Sequence, residues 1–122
     1  MIGLTNKLIR VNKIKVRNIN SVEFEKTSHY SGLKKVVFSA SDVSSDLTQI
    51  AYGLLKTGEL VEEHMHPTME EFFFILKGEI NLLIDDKSFI MEAGDILIIP
   101  PQTLHSMKGV KECDFLYWGV KL

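Results

Sequence analysis

The sequence is a succession of short apolar or alternating segments, each ended by turn-forming residues such as Gly, Pro, Asp and Ser. Nine segments have the length and patterning of β-strands, and no helical period is sustained anywhere, although a helical turn stays open within residues 1–12. Short strands at such spacing are typical of an all-β sandwich or barrel. The predicted strands are residues 13–19, 34–40, 47–55, 60–66, 71–76, 80–84, 88–92, 96–100 and 114–120.

Length and composition fit one domain, residues 1–122, with a single core. The formal charge of −2 lacks the basic excess that nucleic-acid binding needs, and no apolar run is long enough for a membrane span. A single cysteine, Cys113, excludes an intrachain disulfide and favours a reducing compartment. We therefore expect a soluble cytoplasmic protein that binds neither nucleic acid nor membrane.

The beginning of the chain is basic, because five Lys and Arg residues precede the first acid. Such a segment is typical either of an interaction arm or of an edge strand, where lysines discourage unwanted strand pairing. The alternation over residues 13–19 favours the edge strand. We expect residues 1–20 to form one of these two structures.

Two predicted strands, residues 72–76 and 96–99, are apolar on both faces. A strand with one solvated face alternates between polar and apolar residues, and these do not. One face can fill the interior, so the other needs a second sheet or a second subunit to cover it. The pattern predicts a homodimer.

Two histidines stand on one face of a predicted strand. His64 and His66 are two residues apart, which places their side chains on the same side at roughly 7 Å and lets them converge on one metal ion. Pro67 then turns the chain, so the next strand can return with Glu71 aimed at the same point. His105 is expected to end a third apolar strand, after Pro100 and Pro101. The fourth histidine, His29, lies in a polar loop and is expected at the surface.

These residues resemble the cupin family, whose first motif, G(X)5HXH(X)3,4E(X)6G, is matched at every defining position. The second motif, G(X)5PXG(X)2H(X)3N, is matched with two departures, since Gln102 replaces Gly and Gly109 replaces Asn. Gln102 lacks the conformational freedom of Gly, which puts the turn before His105 in doubt. The matched positions are Gly58, His64, His66, Glu71 and Gly78, and then Gly94, Pro100 and His105.

The resemblance covers about residues 47–120 and implies an all-β, cupin-type double-stranded β-helix, or jelly-roll barrel. It also implies one divalent transition metal per chain, held in the barrel mouth by His64, His66, Glu71 and His105. Three imidazoles and a carboxylate suit Fe, Mn, Ni, Co or Zn, and the sequence does not choose among them. Glu70 fits the shorter spacing of the first motif, but only Glu71 keeps six residues before Gly78. A barrel that has lost its metal is the alternative.

Further candidates follow from strand parity. Phe73 and Ile75 share parity with Glu71, and Met107 shares parity with His105, so they are expected to line an apolar substrate pocket, or simply to form barrel core. Glu62, two residues before His64, is either a partner of the metal ligands or a solvated residue outside the mouth. One residue of the pair Tyr117 and Trp118 faces inward.

The cupin resemblance does not fix a reaction. The leading hypothesis is a small metal-dependent enzyme, oxygenase-like or isomerase-like, acting on a small oxygen-bearing organic molecule. No arginine follows Arg17, which argues against a phosphorylated substrate because the usual bidentate clamp is missing. The alternative is a non-catalytic module that binds or senses a metal or a small molecule. Whether the chain is an enzyme at all stays open at this point.

Overall fold

The computed structural model describes residues 14–29 and 31–122. These residues form antiparallel β-structure with two short 3₁₀ turns, Ile19–Ser21 and Ala40–Asp42, which confirms the all-β prediction. None of the described segments is a helix with the length and apolarity to cross a membrane. The strands are β1 (Glu25–Lys26), β2 (Leu33–Ser39), β3 (Leu47–Leu55), β4 (Leu60–His64), β5 (Met69–Ile84), β6 (Lys87–Glu92), β7 (Ile96–Ile99) and β8 (His105–Lys121).

Two long strands, β5 and β8, pair along most of their length and belong to both layers of the barrel. In one layer the order is β1-β2-β3-β8-β5-β7, which uses the second half of β8 and the first half of β5. In the other layer the order is β4-β8-β5-β6, which uses the opposite halves. Register shifts between Ile75 and Ile80 mark where the pair passes from one layer to the other.

The core lies between these layers, on the inward faces of the long strands. Burial alternates along β5, where Glu71, Phe73 and Ile75 are buried and their neighbours are less so, as the parity argument predicts. The buried apolar cluster consists of Leu55, Val61, Phe73, Ile75, Ile80, Leu82, Ile99, Met107, Cys113 and Phe115.

One predicted turn is a bend inside a strand. Residues 77–79 separate two predicted strands, but β5 runs through them to Ile84 without ending. Gly78 supplies the bend, because its φ of 87° is accessible to Gly and a Cβ at this position would overlap the Glu112 carbonyl oxygen. The turn at Asp85 and Asp86 is real, with positive φ at both residues, as tight hairpins require.

The edge strand predicted at residues 13–19 is not formed in the part that the structure describes. Residues 14–18 have no strand partner assigned, and Ile19–Ser21 is a 3₁₀ turn. Side chains hold this segment instead, since Lys15 and Arg17 both bond to Asp42. Residues 1–13, where the rest of the proposed arm or edge strand falls, lie outside the described residues.

Candidate metal centre

Four residues that are distant in sequence bring their polar atoms together at one end of the barrel. His64 is the last residue of β4, His66 follows two residues later, Glu71 is near the start of β5, and His105 is the first residue of β8. One potential ligand atom from each of the four lies within 4.8 Å of all the others. Such a cluster could hold a metal ion.

The cluster surrounds the Glu71 carboxylate. One carboxylate oxygen lies 3.6 Å from Nε2 of His66, and the other lies 3.7 Å from Nε2 of His105. Glu71 and His105 are buried, whereas His64 and His66 are half-buried. Glu71, the residue favoured by the motif spacing, is therefore the carboxylate of the cluster, and Glu70 is not part of it.

Backbone carbonyls orient two of the imidazoles. Nδ1 of His64 lies 2.8 Å from the Glu62 carbonyl oxygen, and Nδ1 of His105 lies 2.9 Å from the Thr103 carbonyl oxygen. A carbonyl only accepts, so each Nδ1 carries the hydrogen and each neutral ring keeps a lone pair on Nε2. Metal-binding histidines characteristically donate their other ring N–H to a carbonyl or carboxylate in this way.

The electrostatics of the two rings differ. Burial lowers the pKa of His64, and the neighbouring histidines lower it further. Burial also acts against protonation of His105, but the Glu71 carboxylate and the Thr103 carbonyl outweigh it and raise the pKa of His105. The negative charge of Glu71 thus favours positive charge beside it.

One atom shows that these residues fit a metal. Nε2 of His105 is buried and has no hydrogen-bond partner within the described part of the chain, and the nearest carboxylate oxygen is too distant to accept from it. An unsatisfied buried polar atom costs stability unless a bound group satisfies it. Three imidazoles and one carboxylate form a donor set that divalent transition metals accept with coordination positions left open.

The cluster borders a cavity of about 330 Å³, and His66 and Glu71 belong to its wall. An aromatic group forms part of the wall, in which Phe73 stacks on Tyr117 with ring centroids 5.5 Å apart and lies 5.7 Å from Phe115. Gly53 makes room for Phe115, whose ring would collide with a Cβ at that position. The cavity thus combines apolar and aromatic side chains with polar ones, among them His66 and Glu71, as small-molecule sites commonly do.

Of the four residues expected to line the pocket, two do and two do not. Phe73 and Met107 line the cavity as expected. Ile75 does not, because it is 2% exposed and packs within the core cluster. Glu62 does not line it either, because its half-exposed side chain lies at the rim. Of the two C-terminal aromatic residues, Tyr117 faces the cavity.

Strand β4 contains a local irregularity around Glu62. Val61 is buried in the core and His64 reaches the cluster with Glu71 and His105, although residues three apart in a regular strand point to opposite faces. A register shift between them reconciles the two orientations. Strand parity alone therefore does not fix the direction of the Glu62 side chain, which contacts His29.

His29 is the residue that the sequence pattern misplaces. Expected as a surface residue, it lines the cavity, and its ring centroid lies 4.5 Å from that of His64. Its Nδ1 lies 2.7 Å from the Glu62 carboxylate. No local pattern could have indicated this contact, because the two residues are 33 positions apart and His29 lies outside both motifs.

Comparison with known proteins finds the same fold widely. The chain resembles a predicted oxalate decarboxylase from Thermotoga maritima with a TM-score of 0.81 and 21% identity, over 88% of this chain and 100% of that one. It resembles the polyketide cyclase RemF from Streptomyces resistomycificus with a TM-score of 0.78 and 16% identity, over 88% and 79% of the two chains. At these identities the likeness concerns the fold alone.

The sequence comparisons agree. The Polyketide synthase CurC of Streptomyces cyaneus is 24% identical over 100 residues, which are 82% of this chain and 65% of that protein. The chain spans between 44% and 65% of the length of the curated relatives that it matches. The family model described as "Cupin domain" matches residues 52–118, more than half of the chain. This protein therefore belongs to the cupin family.

Proposed function

We propose that this chain is a small metal-dependent enzyme, oxygenase-like or isomerase-like, that acts on a small oxygen-bearing organic molecule in the barrel cavity. Its single divalent transition metal, which is Fe, Mn, Ni, Co or Zn, would be held by the four-residue cluster. The observation that carries the proposal is the buried Nε2 of His105 beside Glu71, which has no hydrogen-bond partner among residues 14–29 and 31–122. When bound, the metal supplies Lewis-acid polarisation of a substrate oxygen. The holding residues are His64, His66, Glu71 and His105.

The protein residues around the cluster have distinct tasks in this proposal. The carbonyls of Glu62 and Thr103 keep two imidazoles in the tautomer that offers Nε2. Phe73 and Phe115 form an apolar wall that excludes water from the substrate. Burial raises the pKa of Tyr117 to about 12, so its hydroxyl keeps its proton and offers a hydrogen bond without a charge.

The cavity favours a weakly charged substrate. Arg17 is engaged with Asp42 on another part of the surface, and Lys34 is the one lysine or arginine among the described residues that line the cavity. A single lysine gives a point charge but no bidentate clamp for a phosphate. In keeping with an organic substrate, two of the similar proteins are named for polyketide synthesis and cyclisation.

The metal content of untagged protein, purified without a nickel column, tests the proposal. Elemental mass spectrometry should find close to one transition-metal ion per chain, and His66→Ala should lose it while circular dichroism shows the fold retained. Ser106→Ala, next to His105 on β8 but outside the cluster, should keep the metal. Wild-type protein that is metal-free and takes up no added Co(II) would overturn the proposal.

Turnover separates an enzyme from a binding module. Metal-loaded wild-type protein should convert one member of a panel of hydroxylated ketones and phenols, and His66→Ala should lose that activity without unfolding. If metal is bound but no member of the panel is converted, the non-catalytic module becomes the better description of the chain.

We also propose that the chain is a homodimer. An apolar patch crosses the outer face of three neighbouring strands, where Phe72 pairs with Ile98 on one side and with Trp118 on the other. Phe72 and Trp118 stack with centroids 5.6 Å apart, and Ile98 is 55% exposed. A contiguous exposed patch of this kind is typical of an interface, and a second copy of the same face would cover it.

Sedimentation equilibrium tests the dimer. We expect twice the chain mass of 13.9 kDa at micromolar concentration, and a monomer for Ile98→Lys. Ile90→Lys is the matched control, since Ile90 is 56% exposed on β6, away from the patch. A wild-type monomer, or a dimer that survives Ile98→Lys, would refute this assignment of the interface.

The compartment that we propose is the cytoplasm. Cys113 is the single cysteine of the chain, and it is buried and free. A fold that uses no disulfide is suited to a reducing compartment.

A further inference from the structure

The segment before β2 adds a fourth imidazole beside the three of the metal-ligand cluster, from outside both cupin motifs. His29 lies on this segment, and its ring centroid is 4.5 Å from that of His64. Its side chain is 21% exposed, and it lines the same cavity as His66 and Glu71. A molecule held at the cluster therefore has His29 as a neighbour on the cavity wall.

Several contacts fasten this segment and fix where His29 stands. The backbone N–H of His29 donates to the Thr27 hydroxyl at 3.1 Å. Ser31 donates its hydroxyl hydrogen to the Leu60 carbonyl, and the Gly32 N–H donates to the Glu59 carboxylate at 3.3 Å. The segment is thus bonded to the start of β4, the strand that ends in His64.

Glu62 determines which ring nitrogen of His29 is left for a ligand. The Glu62 carboxylate lies 2.7 Å from Nδ1 of His29, and an ionised carboxylate only accepts hydrogen bonds. Nδ1 therefore carries the hydrogen, and the neutral ring keeps an acceptor lone pair on Nε2. The same residue orients His64 through its backbone carbonyl. Glu62 thereby fixes the tautomers of a metal-cluster ring and of its neighbour on the cavity wall.

Resting on the proposed function, we infer that His29 orients the substrate by accepting, at Nε2, a hydrogen bond from a substrate hydroxyl. The substrate class that follows carries a hydroxyl group next to the oxygen that the metal engages, as in a hydroxy ketone or a phenol with neighbouring oxygens. A molecule whose hydroxyl is methylated lacks the donor and loses this interaction. Glu62 acts as the positioning residue for His29.

Two probe ligands that differ in one hydroxyl test the inference on Co(II)-loaded protein. Catechol has two adjacent hydroxyls, and in guaiacol one of them is methylated. The optical spectrum of Co(II) reports binding of either ligand without any turnover. We expect His29→Ala to weaken catechol about tenfold, the factor that a hydrogen bond of about 1.4 kcal/mol gives, and to leave guaiacol nearly unchanged. Co(II) affinity should stay within about twofold of wild type, because His29 is not one of the four residues that would hold the ion.

Companion variants distinguish orientation by Glu62 from a general effect on the segment. His29→Gln, which keeps an acceptor oxygen, should recover part of the catechol affinity. Glu62→Ala should weaken catechol, and the double variant should be no weaker than His29→Ala, because the two residues act as one unit. Glu63→Ala, at the next and exposed position of β4, is the matched control and should bind catechol as wild type does.

The outcomes separate this inference from the function on which it rests. Wild-type protein that does not bind Co(II) overturns both. Protein that binds Co(II) but not catechol overturns the inference alone, as does His29→Ala with unchanged catechol affinity. Equal losses for catechol and guaiacol also overturn it, since they would show that His29 shapes the cavity without contacting a hydroxyl.

Discussion

His64 and His105 are register partners on β4 and β8, and their ring centroids lie 4.2 Å apart. Each ring has its Nδ1 close to the carbonyl oxygen two residues earlier in the chain, that of Glu62 on β4 for one and that of Thr103, just before β8, for the other. The same local contact thus orients both rings, although the strands β4 and β8 run antiparallel. The consequence is that both Nε2 atoms belong to one cluster with Glu71.

Removing His105 should abolish tight metal binding. His105→Ala deletes the most buried imidazole of the cluster, and we expect Co(II) affinity to fall by more than about 100-fold, beyond the 10–100-fold typical of losing a supporting residue. Isothermal titration calorimetry with Co(II) measures the change. Ser106→Ala, one residue along β8, should bind as wild type does. Unchanged affinity in His105→Ala would show that the ion, if bound, is held elsewhere.

The departure from the second cupin motif at Gln102 should cost stability. Gln102 has a φ of 60°, and its N–H donates to the His66 carbonyl at 2.9 Å. Gln102→Gly removes the Cβ that disfavours this conformation and keeps the hydrogen bond, so we expect the free energy of unfolding to rise by about 0.5–1 kcal/mol.

Chemical denaturation measures this effect of Gln102, and Gln102→Ala provides the control. Alanine keeps a Cβ and should therefore bring no gain. An equal rise in both variants would show that backbone strain is not the cause.

The second departure from the motif, Gly109 in place of Asn, should stabilise the fold rather than cost stability. The Gly109 N–H donates to the Glu59 carbonyl, and the Gly109 carbonyl accepts from the Gly58 N–H. Gly109 is therefore bonded to the turn before β4 at both of its backbone polar groups. A Cβ here would overlap the Lys56 carbonyl oxygen, so Gly109→Ala should lower the free energy of unfolding by about 1–3 kcal/mol. Val110→Ala, at the exposed neighbouring position, should cost far less in the same denaturant titration. A neutral Gly109→Ala would mean that the turn can move away freely.

The parts that sequence predicts well are those fixed by short spacing. The HXH pair and Glu71 lie within eight residues, so one strand end and one turn bring them together. His105 needed the family motif, because its position depends on pairing with β4 across the barrel. The expectation that it ends a strand was wrong, since it begins β8.

The contact between His29 and Glu62 depends on tertiary structure alone. It requires the segment before β2 to be bonded to the start of β4, and β4 itself has a register shift between Val61 and His64. Side chains alternate between the two faces only in regular strands, and a bulge interrupts this alternation. No period in the sequence marks such a bulge in advance.

Cys113 should be inert in the native protein. It is 0% exposed, and burial, followed by the Asp114 charge, raises its pKa to about 12. At pH 8 its thiolate population is small, so iodoacetamide should alkylate it more than about 100-fold slower in native than in unfolded protein. Intact mass spectrometry over time measures both rates, with guanidinium-unfolded protein as the reference. Equal rates would contradict the buried position of Cys113.

Asp42 should make stability depend on pH in the acid range. Its carboxylate accepts two hydrogen bonds from Arg17, at 2.7 and 3.0 Å, and one from the Ser39 N–H at 2.9 Å. The Arg17 bonds and then the Ser39 bond hold the pKa of Asp42 well below its usual range. A folded-state pKa below the unfolded value gives stability that is present above about pH 4 and is lost as the pH falls further.

Asp42→Asn isolates this contribution, because the amide cannot titrate. The melting temperature of the variant should lie below that of wild type at pH 7, and the difference should shrink steadily as the pH is lowered from about 4, since wild type then loses the charge that the variant lacks. Asp46→Asn, at an exposed position just before β3, is the control and should follow the wild-type profile. A difference between Asp42→Asn and wild type that stays constant from pH 7 to pH 2 would mean that Asp42 stabilises the fold through its hydrogen-bonding shape, with no contribution from its charge.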